Sequence, residues 1–175
     1  MINNLSNCLS AEKREASEGL LTVKECLASL RGMVRGSAPG VDEFPMEFHL
    51  AFWDILGRDL VFVLNCTYEL GHMSPSQCRG PITLFHKGGE RSNRSNWRPI
   101  SLLNVDYKIA SRSIALRLLK VIASVVSTDQ TCGVPGRQIS DNTALLRDIV
   151  DYCSRSSSRA AILFLDQRKA FDRVE

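Results

Sequence analysis

The chain has 175 residues, a formal net charge of +3, 44% apolar and 23% charged residues. That length suits one ordinary domain with enough chain for a real core, and the composition is too apolar and too weakly charged for a disordered segment. No apolar run approaches the ~20 residues of a membrane-spanning helix, and MINNLSNCLSAEKRE carries no secretory pattern. The six cysteines form no C-x-x-C pair and the three histidines are scattered. Free thiols in a reducing, intracellular setting are therefore expected rather than disulfides or a zinc site.

Charge is unevenly distributed. From Asp42 to Glu69 six acids face only Arg58, whereas from Arg79 to Lys120 nine bases face only Glu90 and Asp106. The second segment reads either as a solvated face or as a surface for phosphates.

In chain order, residues 1–19 are expected to be a loosely ordered extension. Thr22 and Glu25 match a capping box, and Val23, Leu27, Leu30 and Val34 follow at near-helical spacing, which predicts a helix from about Thr22 to Met33. Gly and Pro residues from Gly36 to Gly40 break it. Met46 to Leu56 and Arg58 to Leu70 read as two apolar helices, the second closed by Gly71. Pro81 to His86 and Trp97 to Ile100 predict a hairpin with a basic, polar tip. Asn104 to Ile122 reads as a long basic amphipathic helix, Thr131 to Asp141 as a loop and Asn142 to Cys153 as a helix. Ala160 to Asp166 reads as a buried strand ending in an acid.

An Asp at a strand end is a common hard-oxygen ligand for Mg²⁺, though turn and cap roles are commoner there. The combination of motifs says more. Phe164-Leu165-Asp166-Gln167-Arg168-Lys169-Ala170-Phe171-Asp172 resembles the first catalytic motif of reverse transcriptases of non-LTR (long interspersed element type) retrotransposons. Asn96-Trp97-Arg98-Pro99-Ile100-Ser101-Leu102-Leu103-Asn104 is similar to the fingers motif of that family. Asp129 to Arg137 (DQTCGVPGR) resembles its loop motif, and Ala38-Pro39-Gly40-Val41-Asp42 its early motif. The four stand in family order and cover roughly residues 20–175.

The resemblance implies an α+β fold: the fingers and partial palm of a right-hand polymerase, with fingers over 20–159 and the first palm strand and catalytic motif over 160–175. It implies Asp166 as the catalytic, Mg²⁺-binding aspartate of an RNA-directed DNA polymerase acting on an RNA template, a DNA primer and a dNTP. By position, Lys87 and Arg98 correspond to the triphosphate-binding pair, with backbone N–H groups of Lys169 and Ala170 pointing at the same phosphates. Phe171 corresponds to the residue beneath the incoming sugar, excluding a 2′-hydroxyl; an ordinary core aromatic is the alternative. Arg91, Arg94, Arg112 and Arg117 are expected on template backbone, with idle surface cations as the alternative.

Several positions depart from the family pattern. Ser37 stands for Lys, Glu43 for Gly, His86 for Pro, Leu116 for Asn and Arg168 for an acid. The family's second aspartate pair has no counterpart before Glu175, so a missing C-terminal polymerase region is implied and the chain alone is expected not to polymerise. An unpaired edge beside Ala160 to Asp166 is also expected. Two other readings stand beside this one: a non-catalytic nucleic-acid-binding remnant, and a group II intron maturase-like fragment. The form of the Asp129 to Arg137 loop favours the retrotransposon. Localisation would be nuclear or cytoplasmic, in ribonucleoprotein form.

Overall fold

The computed structural model describes residues 9–156, 159 and 161–166. The chain divides into two units, one up to Val126 and one from Ser127.

In the first unit, Ser10 caps a short helix α1 (Ala11–Ser17), inside the stretch 1–19 expected as a loosely ordered extension. The helix α2 (Val23–Arg31) begins at the expected capping box. The Thr22 hydroxyl accepts from the Glu25 N–H, and the Glu25 carboxylate accepts from the Thr22 N–H. This satisfies backbone donors that have no intrahelical partner.

Two helices follow, α3 (Met46–Ala51) and α4 (Trp53–Leu70). The break falls at Phe52, not at Gly57 as expected. Gly57 stays helical because the Trp53 indole packs over it; a Cβ there would lie 2.7 Å from the ring. Gly71 ends α4 in the left-handed conformation, where glycine avoids the Cβ penalty.

The hairpin pairs β1 (Ile82–His86) with β2 (Trp97–Ser101), antiparallel, with Phe85 opposite Arg98 and His86 opposite Trp97. Helix α5 (Val105–Val125) runs one turn beyond the expected Ile122. A core of Cys26, Leu30, Met46, Trp53, Leu64 and Ile109 joins α2 to α5. At the α2–α5 crossing the buried Ser29 and Ser113 hydroxyls are 2.8 Å apart, and their small side chains permit close helix approach. Mixed helices with one two-stranded sheet make the chain α+β.

The second unit holds a loop and α6 (Ile139–Arg155), which begins three residues before the expected Asn142. The strand expected over Ala160 to Asp166 is corrected. The described residues 161–166 are exposed and form neither strand nor helix. A strand exists only by pairing its backbone with a neighbour, and the described residues offer this segment none. Among the described residues no helix is long and apolar enough to cross a membrane.

Candidate nucleic-acid and nucleotide interface

The hairpin is built to hold its tip in one shape. Gly88 and Gly89 adopt φ of 119° and 80°, a conformation that costs glycine little. The Lys87 N–H donates to the Asn96 carbonyl at 2.7 Å. The Asn96 amide donates to the Glu90 carbonyl at 2.9 Å, and the Trp97 indole N–H donates to the Arg91 carbonyl at 2.9 Å. The His86 and Trp97 rings lie 5.0 Å apart, so Trp97 is a packing residue that also ties the tip to the strand.

The tip cations are left available. Lys87, Arg91, Arg94 and Arg98 are all exposed and make no hydrogen bond or ion pair through their side chains among the described residues. Phe85 and Arg98 are opposite in register and so share a face. Lys87 follows directly on the last residue of β1, where its N–H closes the hairpin on the Asn96 carbonyl. The expected pair Lys87 and Arg98 is thus carried by one hairpin, Arg98 within β2 and Lys87 just past β1.

Two sequence motifs meet at the start of α5. Gly40 lies so close to Asn104 that a Cβ would overlap its side chain and come 2.5 Å from its backbone N. Asn104 is buried and its amide donates to the Ser76 carbonyl at 3.2 Å. Within the same loop, the Phe44 N–H donates to Asp42 Oδ1 at 3.2 Å, and Glu43 sits at φ 61°. A glycine would fit that left-handed backbone without penalty, whereas a glutamate is strained there. The loop is anchored to α3 through Gly36, whose N–H donates to Glu47 at 2.8 Å and holds that carboxyl below its ordinary range.

Arg112 is exposed on α5 and lies across Gly32 at the end of α2, where a Cβ would come 2.8 Å from its guanidinium. With Lys108, Ser111, Met33 and Val34 it lines a cavity of about 490 Å³.

Arg117 behaves differently, and its expected contact with template is corrected. It is buried, 8% exposed. Its Nε and Nη2 form a bidentate pair with Glu25, both at 2.8 Å, and the remaining donors reach the carbonyls of Glu18, Gly19 and Leu20. All five guanidinium N–H groups are used, so none is left for phosphate. The pair draws the Glu25 carboxyl down to about 2, chiefly through the Arg117 hydrogen bonds and secondarily through Thr22, against the opposing effect of burial. One signal in the sequence marks this role. Arg117 falls on the stripe of Ile109, Ala110, Ser113 and Val121, the buried face of α5.

In the second unit Arg137, unremarked among the expected sites, holds its own loop together. It donates to the Gln130 carbonyl at 2.7 Å and to the Ser127 carbonyl. Gly133 and Gly136 take positive φ, and the Asn142 amide reaches Thr131 Oγ1 at 3.0 Å. The Asp129 to Arg137 motif is therefore a self-braced turn into α6.

Asp166 is exposed at the end of the described segment. Its carboxylate is a hard-oxygen donor of the kind Mg²⁺ takes. Among the described residues no group of three or more His, Cys, Asp or Glu is gathered, so these residues give Asp166 no co-ligands and no metal-dependent step follows from them. Lys169, Ala170 and Phe171 lie outside the described residues.

Comparison with known proteins meets this geometry. Residues 85–175, just over half of the chain, match the family described as reverse transcriptase (RNA-dependent DNA polymerase). Over 167 residues, 95% of the chain, the sequence is 41% identical to an uncharacterised 149 kDa protein of transposon TX1 from Xenopus laevis, of which it spans 13%. The chain belongs to the reverse transcriptase (RNA-dependent DNA polymerase) family, and its similarity to a transposon protein agrees with the retrotransposon type that its motifs imply.

Proposed function

We propose that this chain forms the fingers and the opening of the palm of a non-LTR retrotransposon reverse transcriptase. The fingers span about 20–159 and the catalytic motif follows at 160–175. Lys87 and Arg98 hold the triphosphate of an incoming dNTP, and Arg91, Arg94 and Arg112 follow the backbone of an RNA template. The backbone N–H groups of Lys169 and Ala170 meet the same triphosphate, and Phe171 lies under the sugar and rejects a 2′-hydroxyl. Asp166 supplies one carboxylate to Mg²⁺, which when bound neutralises phosphate charge during transfer. The primer is DNA, and the protein works inside the cell as a ribonucleoprotein.

One observation carries this reading. The hairpin carries Lys87, Phe85 and Arg98 exposed, with Phe85 opposite Arg98, and among the described residues no carboxylate pairs with its cations. A planar fork and a point charge beside an aromatic ring suit a nucleoside triphosphate. The chemistry asked of them is electrostatic: they bind the phosphates, fix their position and offset charge moving toward pyrophosphate.

Photo-crosslinking tests it. An azido-dATP, presented with Mg²⁺ and a primed RNA template, is expected to label peptides from residues 81–101, and R98A is expected to remove most of that label. Labelling confined to other segments, or unchanged in R98A, would contradict the assignment.

A further inference from the structure

The cavity of about 490 Å³ between α5 and the loop after α2 falls within the roughly 300–1,000 Å³ range of small-molecule sites. Val105, Lys108, Arg112 and Ala115 recur at spacings of three and four, so they line it from one side of α5. Met33, Val34 and Ala38 supply the loop side, and Met46 and Leu103 add to an apolar lining. The loop is held in place by the chain itself. The Gly36 N–H donates to Glu47 at 2.8 Å, the Ser37 hydroxyl to the Val34 carbonyl at 2.6 Å, and Lys108 Nζ to the Ala38 carbonyl at 3.3 Å. The cavity is therefore formed before anything enters it.

Charge at the cavity has one sign. Among the described residues Lys108 and Arg112 are its only charged lining groups, and neither forms an ion pair. One turn apart on the same side of a helix, their heads can converge on a single group. Bare phosphate would leave the apolar space unfilled, and a neutral apolar molecule would leave the two cations unmatched. We propose that the cavity binds a small phosphomonoester with an apolar body. The body lies against Met33, Met46 and Leu103, away from water, and the phosphate dianion is held by Arg112 and Lys108. A single carboxylate matches the Arg112 fork alone, whereas a dianion matches the fork and the point charge together. The site needs no residue of the hairpin and no nucleic acid. It shares Arg112 with the proposed template path, so its test is made on protein freed of nucleic acid.

Methionine methyl groups give a local readout. Met33 and Met46 line the cavity, Met73 does not, and the hairpin holds no methionine. Naphthyl phosphate is titrated into the full chain labelled with carbon-13 at the methionine methyls. The Met33 and Met46 signals are expected to shift together and to saturate, with Met73 unmoved. Naphthol and inorganic phosphate, the two halves of the probe, are each expected to bind about tenfold more weakly or worse. R112M keeps the apolar stem and removes the charge, and A115W fills the space from an exposed helical position. Each is expected to weaken binding by about tenfold or more, with helical circular dichroism unchanged. Absence of a saturable shift, or a shift at Met73 in place of Met33 and Met46, would overturn the proposal. So would inorganic phosphate binding as tightly as the whole probe, which would reduce the site to two surface cations. Naphthol binding as tightly, or indifference to either R112M or A115W, would overturn it equally.

Discussion

Arg117 shows how a single residue changes meaning once its surroundings are known. On a basic helix it reads as one more cation for phosphate, yet its five donors are consumed by Glu25 and by the carbonyls of residues 18–20. Removing it strands a partly buried carboxylate and three carbonyls. R117M is therefore expected to lower stability by about 3 kcal/mol, read by urea denaturation. The same pair sets a pH dependence. Glu25 titrates at about 2 in the folded chain against an ordinary value of 4.5. A carboxyl depressed in this way stabilises fully above its unfolded value and loses that contribution as pH falls from about 4.5 toward 2. With its partial exposure discounted for solvent screening, the loss is expected to be about 2 kcal/mol, and E25Q is expected to flatten that part of the pH–stability curve. Glu43 works in the opposite direction. Its φ of 61° is costly for any residue with a Cβ, so E43G is expected to stabilise by about 1 kcal/mol in the same denaturation assay.

At the scale of elements, the junction between the early loop and α5 is the least forgiving contact. A methyl group at Gly40 would overlap the side chain and crowd the backbone of Asn104, and backbone cannot rotate away as a long side chain can. G40A is expected to cost about 3 kcal/mol or more in thermal or chemical unfolding, whereas alanine at Gly36, with open space around it, loses only the relief of its positive φ, about 1 kcal/mol. This junction explains why two motifs far apart in sequence belong together: the Ala38-Pro39-Gly40 turn and the Leu103-Asn104 helix start are one packed unit.

Elements defined by local chemistry were legible in the sequence. The Thr22–Glu25 box, the glycine stop at Gly71, and the alternation that pairs Pro81–His86 with Trp97–Ile100 all depend on near neighbours. What depends on tertiary partners was not. Gly57 looked like a break because glycine is a poor helix former, but the Trp53 ring over it keeps α4 continuous. The Ala160 to Asp166 run has every local mark of a strand, yet strand structure needs a paired neighbour. Arg117 looked exposed because arginine usually is, although its place on the Ile109–Val121 stripe could have identified it. Of the candidate site, the hairpin that carries Lys87 and Arg98 was legible from the alternation of its strands, while the bracing by Trp97, Asn96 and Arg137 was not.

For the whole molecule, a net charge of +3 conceals an acidic helical region and a basic hairpin-and-helix region. The structure sharpens that division, since Arg117 is subtracted from the basic surface while Lys87, Arg91, Arg94, Arg98 and Arg112 remain exposed on it. The central claim, that the exposed hairpin cations track phosphates, is tested most directly by salt titration of single-stranded RNA binding. Log affinity against log salt is expected to fall linearly, and R94A is expected to reduce the magnitude of the slope by about 0.7 with little dependence on RNA sequence. A wild-type slope near zero, or a slope unchanged when Lys87, Arg91, Arg94 and Arg98 are all replaced by alanine, would contradict it.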